Sequence, residues 1–107
     1  QLEGLNSYIK SKRWLAEQYK LFFKTTNYSF FCEPAYAVSN YWLNAIICED
    51  KKQRDALLKE TNEADIMTRP AWRLMTELPM YNDCLQGELD NAKYFADRIV
   101  NIPSSPI

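Results

Sequence analysis

The sequence has no histidine, and that absence alone removes several chemistries. A serine or cysteine nucleophile activated by an imidazole base is excluded within these 107 residues. Glycine is nearly as scarce: Gly4 and Gly87 are the only two, so no glycine-rich loop can cradle a phosphate. The three cysteines, Cys32, Cys48 and Cys84, are far apart and odd in number. They fit neither the Cys-x-x-Cys spacing of a structural zinc site nor a disulfide framework. Thiols used this way suit a reducing compartment, and the cytoplasm is the expected location. No apolar run reaches the ~18 residues of a membrane span. Gln1-Leu2-Glu3-Gly4 lacks the basic start and apolar stretch of a signal peptide. The formal charge of −1 leaves no basic footprint for nucleic acid. We therefore expect neither a nucleic acid nor a membrane as partner. The first residue is not Met, and the chain reads as a fragment of a longer protein.

What is present is globular in character, with 47% hydrophobic and 25% charged residues. Aromatics reach 14%, including seven Tyr and three Trp. Such amphipathic rings serve half-wet clefts and interfaces as well as cores. A single domain of this length buries only about two-thirds of its unfolded surface, so docking on a larger body would steady it.

Along the chain, apolar residues at Leu2, Leu5, Tyr8, Ile9, Leu15, Tyr19, Phe22 and Phe23 step by threes and fours. This spacing predicts a long amphipathic helix over 2–24, with Lys20 and Lys24 suiting its negative C-terminal end. A β-prone stretch follows at 28–32. The nearly all-apolar 40–48 reads as a strand buried on both faces. Asp50 is placed to N-cap a helix over 51–64, with Leu57 and Leu58 as its apolar centre. A short strand is expected at 66–68, closed by Arg69-Pro70, so that strand, helix and strand form a crossover unit. The stretch 71–82 reads as irregular and 87–100 as the last helix. The prolines at 103 and 106 impose an extended tail. The expected fold class is α+β: a long N-terminal helix and a small sheet of about three strands with two further helices.

Two constellations could carry chemistry. In Thr68-Arg69-Pro70-Ala71-Trp72 the proline biases Arg69 towards extended backbone and projects its side chain from a strand end. A guanidinium there, beside a Trp, could hold a phosphate or carboxylate by its fork. The same residues also serve as an ordinary surface turn. Ser39-Asn40-Tyr41-Trp42 offers an amide, a phenol and an indole that could read sugar hydroxyls or a base, or simply start a strand. Lys10, Lys12 and Arg13 read as a solvated helix face.

The order of these segments resembles the C-terminal part of the DegT/DnrJ-type sugar aminotransferases, nearest the bacillosamine and legionaminic acid branch. Gln1-Leu2-Glu3 with Lys12-Arg13 and Tyr19 is similar to that family's first helix. Asn40-Tyr41-Trp42-Leu43 resembles its "NYWL" strand, and Arg54-Asp55-Ala56-Leu57-Leu58 its "RDALL" helix. Thr68-Arg69-Pro70-Ala71-Trp72 resembles its "TRPxW" turn. Leu78-Pro79-Met80-Tyr81 and Ile102-Pro103-Ser104-Ser105 resemble its later segments. One departure is Asp65, which stands where the family usually has Gly; Asp tolerates left-handed backbone better than most residues.

The resemblance implies that 1–107 is the small C-terminal domain of a fold-type-I aminotransferase, a fragment of a larger, homodimeric enzyme of polysaccharide biosynthesis. That enzyme would use pyridoxal phosphate to move an amino group from glutamate to a 4-keto-6-deoxy sugar nucleotide. The cofactor lysine, the aspartate on the pyridine nitrogen and most phosphate ligands would lie in the large domain. No catalytic residue and no bound cofactor are expected in the chain alone. Arg69, Trp72, Asn40 and Tyr41 are the implied substrate-side residues, and no metal ligands are expected. The alternative is a non-catalytic binding module with an aromatic-rich surface. Such a module would have its own start codon near Gln1.

Overall fold

In the computed structural model, which describes residues 2–107, the fold is α+β. Gln1 of the Gln1-Leu2-Glu3 segment lies outside the described residues. Helix α1 (Leu5–Phe23) forms where the periodicity predicts it, after a 3-10 turn at Leu2–Gly4. Strands β1 (Ser29–Phe30), β2 (Asn44–Ile47), β3 (Arg69–Pro70) and β4 (Ile99–Ile102) make one sheet in the order β1-β2-β4-β3. Every neighbouring pair is antiparallel, with Ile46 opposite Val100 and Arg69 opposite Asn101. Side chains alternate across a strand, so Ile46, Val100 and Ile102 share one face, and Cys48 continues it past the end of β2. Tyr19 and Phe23 of α1 and Leu57 and Leu58 of α2 (Lys51–Glu63) pack against that face. An aromatic run extends it: Phe23 lies 6.5 Å from Phe30, and Phe30 lies 6.2 Å from Tyr41, both stacked.

Both ends of α2 are set by local chemistry. Asp50 caps it, its carboxylate accepting from the Gln53 amide at 2.7 Å, while Gln53 Oε1 accepts from the Glu49 amide at 2.7 Å. Gln53 thus donates to Asp50 through its amide and accepts from Glu49 through its side chain, a shifted form of the capping box that satisfies two donors at the helix start. At the other end Asp65 takes φ 59° and the Ile66 amide donates back to Thr61 O at 2.8 Å. That is the left-handed stop usually given to glycine, and Asp65 occupies it as its tolerance for such backbone allows.

The strands depart from expectation in four places. β2 begins at Asn44, not at residue 40, because Tyr41 has φ 47° and breaks the extended run. Trp42 and Leu43 are exposed, so 40–48 is not buried on both faces throughout. β3 is Arg69–Pro70 and not 66–68, since Ile66 is spent closing α2. It is an edge strand, where a proline without an N–H is tolerated. The last helix, α3 (Asp90–Ala96), is shorter than 87–100; residues Ile99–Ile102 form the fourth strand instead, and it sits between β2 and β3. The crossover is therefore split: β2 and β3 run parallel with β4 inserted between them. Within 71–82 lie two 3-10 turns, Met75–Glu77 and Pro79–Tyr81.

Asp65→Gly removes the steric cost of the left-handed position. The expected outcome is a gain of about 0.5–1 kcal/mol, part of it offset by the freer unfolded chain. Urea unfolding of the purified chain measures it; a loss of stability would show that the Asp65 side chain itself is needed.

Candidate functional site

The loop between β1 and β2 is tied to α1 by a knot around Arg13. Arg13 presents both terminal nitrogens to Glu33, at 2.7 and 3.0 Å, and Nη1 also donates to Ser39 O. The same guanidinium lies 5.6 Å from the centre of the Tyr41 ring. Glu33 accepts from the Ser39 amide as well, and its own amide donates to the Tyr41 hydroxyl at 3.2 Å. Hydrogen bonds from Arg13 first, then from the Ser39 amide, hold the Glu33 carboxyl down to about 2. Arg13 is therefore a framework residue, not part of a solvated face.

Tyr41 is buried, with its phenol committed to this knot. Asn40 is exposed and closes a turn, its Oδ1 accepting from the Trp42 amide at 3.0 Å. The turn presents Trp42, 68% exposed, beside a cleft of about 540 Å³. Lys12 pins that wall by donating to Trp42 O at 3.2 Å and Ser104 O at 2.6 Å. Arg69 also lines the cleft, with Asn101, its partner across β3 and β4. No carboxylate is among its lining residues, so with Lys12 and Arg69 on its border the cleft suits an anion.

Trp72 does not share this cleft. It is 88% exposed and lines a second groove of about 650 Å³, between α2, α3 and the turn after β3. That groove mixes Arg54, Arg73 and Lys93 with Asp55, Glu77 and Asp97. Thus the structure brings Arg69 together with Trp42, sets Asn40 at the turn behind it, and separates both from Trp72. Trp42 was legible only as part of its tetrapeptide. Its signal was a bulky indole directly after an Asn turn, where a buried strand would have hidden it.

Pyridoxal phosphate needs an amine free to condense, an acid facing its ring nitrogen and donors for its phosphate. The residues here do not fit that set: the Arg69 cleft has no acid, and its one amine, Lys12, is committed to two carbonyls. Among the described residues no His/Cys/Asp/Glu cluster could hold a metal, and no helix is long and apolar enough to cross a membrane.

A family model described as the DegT/DnrJ/EryC1/StrS aminotransferase family matches residues 1–107. GDP-perosamine synthase of Vibrio cholerae is 31% identical over 111 residues, covering 99% of this chain and 30% of that protein. The aminotransferase TlmJ from Streptoalloteichus hindustanus superimposes with a TM-score of 0.87 at 21% identity, over 98% of this chain and 28% of that one. The Escherichia coli GDP-4-keto-6-deoxy-D-mannose-3-dehydratase, solved with bound hydrated PLP, gives 0.80 at 21% identity, over 100% of this chain and 29% of that one. The chain thus spans under a third of the length of the proteins it matches.

The Glu33 knot predicts a pH signature. A carboxyl held near 2 against its ordinary 4.5 contributes stability that is present above 4.5 and is lost as pH falls towards 2. Glu33→Gln should lower Tm at neutral pH, and the gap to the parent should close between pH 5 and 2. Thermal unfolding across that range checks this; a gap independent of pH would mean that the ion pair is not the source.

Proposed function

The chain belongs to the DegT/DnrJ/EryC1/StrS aminotransferase family, and from that membership we propose that it is the C-terminal domain of a pyridoxal-phosphate-dependent sugar-nucleotide aminotransferase. The observation that carries this is the family match over residues 1–107 joined to an unfinished surface. Its accessible area is 8402 Å², against the ~6,200 Å² that a free-standing protein of its mass exposes. Its radius of gyration is 16.0 Å, against ~13 Å for a compact chain of this length. Trp72, Met80 and Leu85 stand out in solvent along the 71–89 segment. A domain built to dock on a larger one has this character.

In this reading the amino group passes from glutamate to a 4-keto-6-deoxy sugar nucleotide in a cytoplasmic homodimer. The cofactor and the amine that links it belong to the large domain. This chain supplies binding and orientation and is inactive alone. Arg69 is the group that meets an anionic oxygen, either a nucleotide phosphate or the donor carboxylate. Trp72 walls the sugar or base from the second groove. Asn40 and Tyr41 contribute by placing the turn that carries Trp42 beside the Arg69 cleft.

The test uses the full-length protein. It should show the visible absorbance of bound pyridoxal phosphate, whereas the isolated chain should show none. Arg69→Ala should raise KM for one of the two substrates tenfold or more, since a lost charge-assisted contact is worth ~1.5–3 kcal/mol. Its Tm should stay close to that of the parent. Unchanged KM for both substrates would remove Arg69 from the site.

A further inference from the structure

Arg69 is not free to swing in its cleft. Its Nη1 donates to Asn62 Oδ1 at 3.0 Å and to Thr68 O at 2.9 Å. Asn62 is held in turn: its Nδ2 donates to Leu58 O at 2.7 Å, Thr68 Oγ1 at 3.0 Å and Thr68 O at 3.2 Å. Thr68 is buried, and its hydroxyl lies 2.6 Å from that of Thr61. Thr61 Oγ1 donates to Leu57 O at 2.7 Å, so its proton is spent and Thr68 must be the donor between the two hydroxyls.

The chain of donors therefore has one direction: Asn62 Nδ2 to Thr68 Oγ1, Thr68 to Thr61, Thr61 to the backbone of α2. This polarity settles which way the Asn62 amide faces. Reversed, its oxygen would meet the carbonyls of Leu58 and Thr68 and its NH2 would meet a guanidinium, leaving every contact repulsive. With the amide set, Oδ1 can only accept from Arg69. Asn62 itself lies outside the lining of the cleft, so whatever it does there it does through Arg69.

We propose that Asn62 is a positioning residue for Arg69: it holds the Nη1 corner of the guanidinium against the end of α2, so that Nε and Nη2, unpaired among the described residues, are presented to a substrate oxygen. This rests on the reading that Arg69 meets an anionic group. The Thr61–Thr68–Asn62 relay pre-orders the fork before substrate arrives, which spares rotamer entropy on binding.

A double-mutant cycle in the full-length holoenzyme tests it, with Asn62→Ala and Arg69→Ala alone and together and KM and kcat measured for both substrates. Asn62→Ala should raise KM about threefold to tenfold for the substrate that Arg69→Ala affects, with kcat nearly unchanged. In the Arg69→Ala background it should add nothing to KM. A second variant, Asn62→Asp, keeps an acceptor but claims the guanidinium charge; it should raise the same KM, again only while Arg69 is present. Thermal unfolding runs alongside, because a merely structural Asn62 would cost the same stability in both backgrounds and leave KM additive. Additive KM effects, or an Asn62→Ala enzyme with parental KM while Arg69→Ala is impaired, overturn the proposal. If Arg69→Ala leaves both KM values unchanged, the Arg69 reading fails first, and that arm alone shows it.

Discussion

The fork of Arg13 on Glu33 is the contact on which the placement of the rest depends. The loop from 31 to 43 is too long to hold itself and has few buried residues of its own. What fixes it is a half-buried ion pair that gathers the Ser39 backbone and the Tyr41 ring and hydroxyl around two charges. A lone surface ion pair is worth little. This one differs because both oxygens of Glu33 and three other loop groups are engaged at once, so no single partner can leave without disturbing the others. The left-handed backbone of Tyr41 is the strain this knot sustains. In return the chain bends after Asn40 and enters β2 with Trp42 exposed.

How much of this was legible depends on whether the signal was local. Helices α1 and α2 were, because apolar spacing and the Asp50 cap are properties of neighbouring residues. The left-handed Asp65 was legible only through the family resemblance, which usually places Gly there. β4 was missed because Ile99 falls in phase with Leu89, Ala92 and Phe95, and neither Gly nor Pro marks the end of α3. The alternating Ile99, Val100, Asn101 and Ile102 is strand-like, but only the pairing with β2 selects that reading over a helical turn. The 66–68 strand was displaced by a tertiary demand too: Ile66 must return to Thr61 to close α2, and pairing begins only at Arg69.

The candidate site was legible as residue types but not as a shape. Arg69 and Trp72 are three apart in one motif, yet the chain between them turns at the edge of the sheet and sends them into different cavities. Tyr41 was singled out for its phenol, and the structure spends that phenol on Glu33. Asn62 carried no signal at all, since an Asn near a helix C-terminus is unremarkable until its amide is seen to face Arg69.

Three cations stand near this end of the fold, and they divide by what they can still bind. Lys12 donates to two carbonyls, and as a compact ammonium it acts there as a pin between the loop and the segment after β4. Arg13 has given both ends of its fork to Glu33. Arg69 keeps Nε and Nη2 clear of protein partners among the described residues, because its hydrogen bonds all fall on Nη1. A planar guanidinium can be held at one corner and still offer another, whereas a lysine has one nitrogen for both tasks. In the proposed role of Arg69, the preference for arginine over lysine would come as much from Asn62 and Thr68 behind it as from a ligand in front.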